Sequence, residues 1–469
     1  MRIVQVAYDR WPDAITGVSV YCHGLEEEMA RQGHQVYHLY SRPRDWRLRP
    51  YLKWEERDGI TYVAIVNSPI LWQFSVDRPL QDCAEARVER LFSRCIEEIQ
   101  PDLVHFHGWQ GLPASLLLLA KRSGVHVVVS LNDYMLICPR LFLLRLDLSP
   151  CDGPKGGINC LTFCVTRASP AQRIYRRLMV TLPDGGAKKV LSYIRDISRR
   201  GRHSSQWVIP PEGSRVFEPS RLLGHFTRER FLRSALLEAD AIIAPSHAVK
   251  AQFVAHGIPA ERMELIPYGV VGVEAIQRRV RRFREFPITF GFLGTFGPIK
   301  GTHLVIEAAR TIPPEKARFL LYGRGAQEDV GYLRNLARQA KHIHFMGSYT
   351  RDALPQILET LDVLIFPSIV AETQGNVGLE GQAAGLPIVG SKIGGIPDYV
   401  QDGHNGFLFE PRSAEDLREK IERFIQDPSL IEQLSRNTPP PVLMNDHVSR
   451  LLEIYATAVN RRAGRVGLS

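Results

Sequence analysis

Short apolar runs alternate with longer amphipathic stretches along this chain, and the alternation occurs twice. The first series opens on an apolar run at 3–7 and passes a glycine-bearing loop at Thr16-Gly17. A helix is predicted over 18–32, ended by Gly33. Further strands are predicted at 35–40, 60–66, 103–107 and 125–131, with helices at 82–100 and 112–123; 241–245 and 264–267 resume the pattern. The second series starts at 288–294 and continues with strands near 318–322, 343–346, 363–366 and 387–390. Strands alternating with helices predict an α/β chain whose parallel sheets are covered on both faces.

The seam between the series is charged and lacks a sustained apolar strand over 272–287. Pro439-Pro440-Pro441 breaks the chain again before a last helix predicted at 447–459. The predicted domains are therefore 1–270, with a cysteine-bearing loop and basic insert at about 135–235, then 271–440, then a terminal helical segment at 441–469. A length of 469 residues supports two domains, since single cores rarely grow that large.

Composition narrows the class. A hydrophobic fraction of 44% with 23% charged residues describes a globular protein. Residues 1–8 form a strand-like run that meets Asp9 too early for a signal peptide, and no run approaches the ~20 apolar residues that span a bilayer, so a cytoplasmic location is expected. Much of the net charge of +9 lies between Arg167 and Arg233, including Arg173, Arg176, Arg177, Lys188, Lys189, Arg195, Arg199, Arg200 and Arg202. Such a cluster suits peripheral contact with an anionic membrane, or forms a solvated helical face. No recognition fold or basic-aromatic interleaving points to nucleic acid. Four of the seven cysteines, Cys138, Cys151, Cys160 and Cys164, are close enough in sequence to hold a structural zinc ion, or to stand as free thiols in a packed loop.

The chemistry concentrates after the strand-like run at 362–366. Glu372 falls on the loop that follows it, and Glu380 in the first turns of the next helix. A helix starting near Gly375 offers unpaired amides at Gly375, Asn376 and Val377 and the positive end of its dipole, which suit a phosphate or diphosphate. Glu380 cannot favour an anion, so a sugar or ribose hydroxyl is its sensible partner; Glu372 reaches another part of the same ligand. A nucleoside diphosphate sugar meets these demands. Spacing alone leaves open two solvated glutamates on an amphipathic segment.

The surrounding residues add a family resemblance. Pro367-Ser368, Glu372, Gly375, the run from Glu380 to Gly390 and Gly394-Gly395-Ile396-Pro397-Asp398 together resemble the donor-site signature of retaining GT-B glycosyltransferases of family 4. The resemblance implies two Rossmann-like domains facing across a cleft, the last helix packing back on the first. Gly294 to Gly301 resembles the family's phosphate-contacting segment: Lys300 matches its lysine, while Thr295 stands where an arginine is usual. Arg324, in Gly323-Arg324-Gly325, falls at the family's turn near the nucleotide, and Gly17 at a loop that approaches the donor phosphates from across the cleft. On the acceptor side, His107 ends a run similar to the family's Asp-hydrophobic-His-x-His. Asn132-Asp133-Tyr134 resembles its His-Asp-Tyr, with an amide in place of the histidine.

The resemblance implies a hexosyltransferase-type enzyme that moves a sugar from a nucleoside diphosphate sugar to a carbohydrate or lipid-linked acceptor hydroxyl, as in polysaccharide synthesis. Glu372 and Lys300 would be its catalytic pair, with no cofactor required. The chain has no Asp-x-Asp motif, so no catalytic metal is expected. A sugar-nucleotide epimerase or hydrolase of the same fold, or a non-catalytic nucleotide-sugar scaffold, are the alternatives.

Overall fold

The computed structural model describes residues 1–10, 16–42, 45, 47, 49–70, 75–165 and 219–466. The basic residues from Arg167 to Arg202 named above lie outside them. Two parallel sheets carry the chain. The first contains β1 (Arg2–Val6), β2 (Gln35–Arg42), β3 (Tyr51–Arg57), β4 (Ile60–Val66), β5 (Leu103–Phe106), β6 (His126–Ser130), β7 (Ala241–Ala244) and β8 (Met263–Leu265), ordered β3-β4-β2-β1-β5-β6-β7-β8. The second contains β9 (Ile288–Leu293), β10 (Ala317–Tyr322), β11 (Ile343–Gly347), β12 (Val363–Phe366), β13 (Ile388–Ser391) and β14 (Gly406–Phe409), ordered β11-β10-β9-β12-β13-β14.

Strands β9 and β12 are buried throughout, as expected of strands covered on both faces. The order in which strands are added reverses between β1 and β5 in the first sheet and between β9 and β12 in the second, both pairs being parallel. Ligands of doubly wound sheets bind beyond the carboxyl ends of strands at such a switch. The loops leaving β1, β5, β9 and β12 are therefore the places to look, and they carry Thr16-Gly17, His107, Lys300 and Glu372 respectively.

Two strands depart from the sequence expectation. β3 pairs antiparallel with β4 through the two-residue turn Asp58-Gly59, both residues at positive φ. That turn geometry matches the twist of the hairpin. β14 is only four residues long and escapes a periodicity search. The last helix begins earlier and runs further than predicted, over Met444–Val466. It lies against the helix Gly17–Arg31: His447 Nε2 is 2.7 Å from the Tyr21 hydroxyl, and the Tyr455 hydroxyl is 2.5 Å from His105 Nδ1 on β5. One apolar cluster runs through Tyr21 and Leu25, Tyr268 and Val270, Leu364 and Leu379, then Val448 and Leu451, joining both sheets and the last helix.

Candidate active site

Lys300 reaches the site because of the glycine beside it. Gly301 has φ +70°, and a Cβ there would sit 1.9 Å from the Pro367 carbonyl oxygen, so only glycine lets the turn after β9 lie on the loop after β12. Ile369 N–H donates to the Ile299 carbonyl at 3.0 Å and fixes the register. Lys300 Nζ then meets Glu372 Oε1 at 2.6 Å, and the Ser368 hydroxyl donates to the same oxygen at 2.6 Å. The lysine side chain stays 31% exposed and the glutamate 13%, so the pair is accessible to a ligand.

Gly375, at φ +91°, caps the helix Asn376–Ala383 with no side-chain cap on its first amides. A Cβ at Gly375 would lie 2.5 Å from the Phe366 ring. Asn376 Nδ2 donates to the Gly17 carbonyl at 3.0 Å, so the amide end of this helix faces the first lobe directly. Glu380 is buried, at 3% exposure, and ion-paired with Arg351. Arg351 also donates from Nη2 to the Val271 carbonyl at 2.8 Å. Burial raises the Glu380 carboxyl above its ordinary range, with Arg351 opposing.

On the first lobe, Thr16 caps the helix Gly17–Arg31 through a reciprocal pair with Ser19, and its hydroxyl donates to Asp9 at 3.2 Å. Burial pushes the Asp9 carboxyl up to about 6, against that hydrogen bond and the nearby His38. His107 and Asn132 are buried and turned toward each other, with Asn132 Nδ2 at 3.1 Å from His107 Nδ1. His107 Nε2 lies 2.7 Å from Gln5 Oε1, and the Tyr268 hydroxyl donates to Asn132 Oδ1 at 3.0 Å. These contacts assign directions: Asn132 donates to an unprotonated Nδ1, and His107 donates from Nε2 to Gln5. Burial holds the His107 ring neutral, its pKa lowered to about 3. Tyr268 continues the chain across the lobes, its hydroxyl 3.3 Å from Thr373 Oγ1 and its N–H donating to Gln374 Oε1 at 2.6 Å.

Asp133 is half-buried, takes the Met135 amide on one oxygen, and has no hydrogen-bond partner on the other among the described residues. Burial pushes its carboxyl up to about 6. The loop that follows is held by Arg228, whose guanidinium pairs with Asp82 at 2.7 Å and donates to the Met135 and Ile137 carbonyls. Part of the basic stretch is thus a buried anchor rather than a solvated face.

Thr295 and Arg324 are both exposed; the Phe296 N–H donating to the Arg324 carbonyl at 2.8 Å sets their two loops side by side. Val377 is half-buried in the first turn of its helix. Among the described residues no three His, Cys, Asp or Glu side chains gather as metal ligands, and Cys138, Cys151, Cys160 and Cys164 form no disulfide. Burial raises the thiols of Cys151 and Cys160 and pushes Cys164 up to about 11. Sequence reasoning missed Arg351, Tyr268 and Gln5. No local motif marks them, and only the fold brings them to the site.

Comparison with known proteins decides the family. Residues 273–439 match the glycosyl transferases group 1, residues 16–182 a glycosyl transferase 4-like domain, and residues 201–271 glycosyltransferase family 4. The chain belongs to the family 4, group 1 glycosyltransferases. A glycosyltransferase of Methanocaldococcus jannaschii described as uncharacterized is 29% identical over 212 residues, covering 44% of this chain and 56% of that relative. The chain spans about half the length of the curated relatives it matches. Among solved structures, sucrose-phosphate synthase from Thermosynechococcus elongatus superposes with a TM-score of 0.62 at 15% identity over 100% of both chains. Anabaena HepE in complex with UDP and glucose gives 0.54 at 17% identity, again over 100% of both. This family 4 chain accordingly has the GT-B fold, with its two Rossmann-like sheets. No helix among the described residues is long and apolar enough to cross a membrane.

Proposed function

We propose that this chain transfers a sugar from a nucleoside diphosphate sugar to an acceptor hydroxyl, with the anomeric configuration retained. The observation that carries the reading is the convergence of Lys300, Ser368 and Glu372 beside a helix start whose Asn376 meets Gly17 of the other lobe. Cation, carboxylate and open amides lie where a diphosphate and its sugar would bridge the two sheets.

In this reading the bond from the anomeric carbon to the diphosphate breaks first and negative charge builds on the leaving oxygens; the acceptor oxygen then bonds to the same face of that carbon while its proton passes to a leaving phosphate oxygen. Lys300 and the amides of Gly375 to Val377 stabilise that charge, at fixed positions that need no reorganisation. Glu372 positions the sugar and steadies the positive charge left on it. Glu380 holds a ribose hydroxyl. Asp133, with one carboxylate oxygen free of hydrogen bonds, orients the acceptor from the first lobe. Asn132, oriented by His107, acts by fixing the Tyr268 hydroxyl through its buried hydrogen bonds. Arg324 and Thr295 flank the donor from exposed loops. Uridine diphosphate sugars are the first donors to try, because a fold neighbour is described with UDP and glucose. A carbohydrate or lipid-linked acceptor fits the family, and the run of basic residues from Arg167 to Arg202 in the sequence suits anionic lipid by its charge.

A thermal-shift screen against UDP, GDP, ADP and their sugars identifies the donor, since a bound ligand raises the melting temperature by mass action. Transfer is then measured with that donor for the wild type and for Glu372→Ala. The reading expects stabilisation by one nucleotide series and loss of transfer in the variant. Free sugar released at the same rate with and without acceptors would point to hydrolysis instead.

A further inference from the structure

We infer that Arg351 is a positioning residue for nucleotide recognition, keeping the buried Glu380 carboxylate ionised and aimed so that it accepts a ribose hydroxyl. The inference rests on the nucleotide reading of the site and adds a residue that no motif marks.

Glu380 is almost fully enclosed, in the second turn of the helix whose first amides face the proposed phosphates. A carboxylate left alone in such a place takes up a proton rather than stay charged. Once protonated it becomes a donor through one oxygen, and its value as an acceptor for a hydroxyl falls. Arg351 supplies the opposing charge. It stands in the turn after β11, and its guanidinium is held at two points: Nη1 donates to Glu380 Oε1 and Nη2 donates to the Val271 carbonyl at 2.8 Å. Val271 belongs to the connector between the two sheets, so the arginine is registered against the backbone independently of Glu380.

Among the described residues two charged or titratable groups act on Glu380. Arg351 is one. Tyr349, the second, has its hydroxyl raised by burial and by the glutamate's own charge, and so stays neutral. The small cavity beside the carboxylate is lined otherwise by Val20, Gly269, Val270, Val271, Asn376 and Leu379, none of which titrates. Burial and the arginine therefore compete for the protonation state of Glu380 without a third party.

The test is calorimetric titration of UDP, GDP and ADP into the full chain between pH 5 and pH 8.5, for wild type, Arg351→Gln, Arg351→Lys, Glu380→Gln and the Arg351→Gln/Glu380→Gln double variant. Arg351→Gln is expected to weaken binding about tenfold or more at pH 6, one unit of carboxyl shift being tenfold, with the deficit narrowing as pH rises. Arg351→Lys restores part of the loss. In the Glu380→Gln background the arginine change adds about twofold or less, because the group it acts through no longer titrates. Equal binding by wild type and Arg351→Gln at every pH overturns the inference, as does a loss that is the same at every pH and persists in the Glu380→Gln background. Thermal melts show whether each variant folds. Should Arg351→Gln not fold, Glu380→Gln decides: a flat pH response where wild-type binding weakens toward pH 5 supports the inference, and an unchanged response overturns it. Failure of wild type to bind any of the three nucleotides overturns the nucleotide reading and this inference together.

Discussion

Lys300 Nζ lies 2.6 Å from Glu372 Oε1, and this pair joins the loops that leave two neighbouring strands, β9 and β12. Without nucleotide, the cation assigned to the leaving phosphates is shared with the carboxylate assigned to the sugar. An ammonium group has three donors, so it can keep Glu372 and still take phosphate oxygens. In the proposed mechanism the pair would fix the distance between the groups that meet the two ends of the donor.

Removing that cation should cost rate rather than stability. Lys300→Met is expected to lower kcat by about 10²–10³, the usual loss when one charge-stabilising contact is removed from a transition state. A partly exposed ion pair contributes only about 1 kcal/mol or less to folding, so the melting temperature should barely move. Steady-state rates beside thermal melts check this. Wild-type turnover in Lys300→Met would take the lysine out of the mechanism.

The Asp133 carboxyl, pushed up to about 6 by burial, gives transfer a predicted acidic limb. If the ionised form orients the acceptor, kcat/KM for the acceptor should fall as pH drops through about 6. Asp133→Asn should lower that rate and flatten the limb. The linkage sign for folding is the reverse. A raised carboxyl pKa means that ionising this group opposes folding, so Asp133→Asn should melt no lower than wild type at pH 8. A limb that persists in the variant would assign it to another group.

Much of this arrangement was legible in the residues before any coordinates, and the misses have physical reasons. Glu372, Gly375 and Glu380 follow a fully apolar strand, and Lys300-Gly301 follows another, so local pattern sufficed to put them at strand ends. The hairpin strand β3 was missed because Tyr51 to Arg57 is polar and sits on a sheet edge, where little apolar signal is needed. The Asp58-Gly59 dipeptide was the signal that could have found it. Arg351 and Tyr268 were illegible for a different reason: their partners lie 29 and 136 positions away in Glu380 and Asn132, and no local period encodes such pairings. His107 and Asn132, read from the resemblance as acceptor-side residues, hydrogen-bond to each other, and Asn132 Oδ1 also takes the Tyr268 hydroxyl, a pairing that no local period encodes.

Burial of neutral His107 predicts acid sensitivity of the fold. Its folded pKa of about 3 lies below the ordinary imidazole value near 6.5, so the unfolded chain binds the proton first. The stability this residue contributes is complete above about pH 6.5 and is lost progressively as pH falls toward 3, at about 1.4 kcal/mol per pH unit. His447, lowered to about 4 by burial, adds to the same slope. Urea unfolding at pH 7.5, 6 and 5 should show the decline, and His107→Gln should flatten it by about one proton's worth. An identical slope in the variant would mean the ring titrates as freely in the folded chain as in the unfolded one.

Tyr268→Phe tests whether the two lobes are coupled through one hydroxyl. That oxygen donates to Asn132 Oδ1 in the first lobe and meets Thr373 Oγ1, next to Glu372, in the second. Deleting it leaves the buried Asn132 oxygen without its donor, at a cost of about 1–3 kcal/mol. The ring itself stays, packed on Tyr21 with centroids 4.6 Å apart, so the apolar contacts at the seam should survive. Loss of the Thr373 contact loosens the segment between Glu372 and Gly375, which the backbone N–H of residue 268 still holds at Gln374, and the donor KM should rise while the neutral His107 keeps its bond to Gln5. Urea denaturation and donor kinetics measured on the same preparation separate the two effects. A variant as stable as wild type and with an unchanged donor KM would show that this hydroxyl does not couple the lobes.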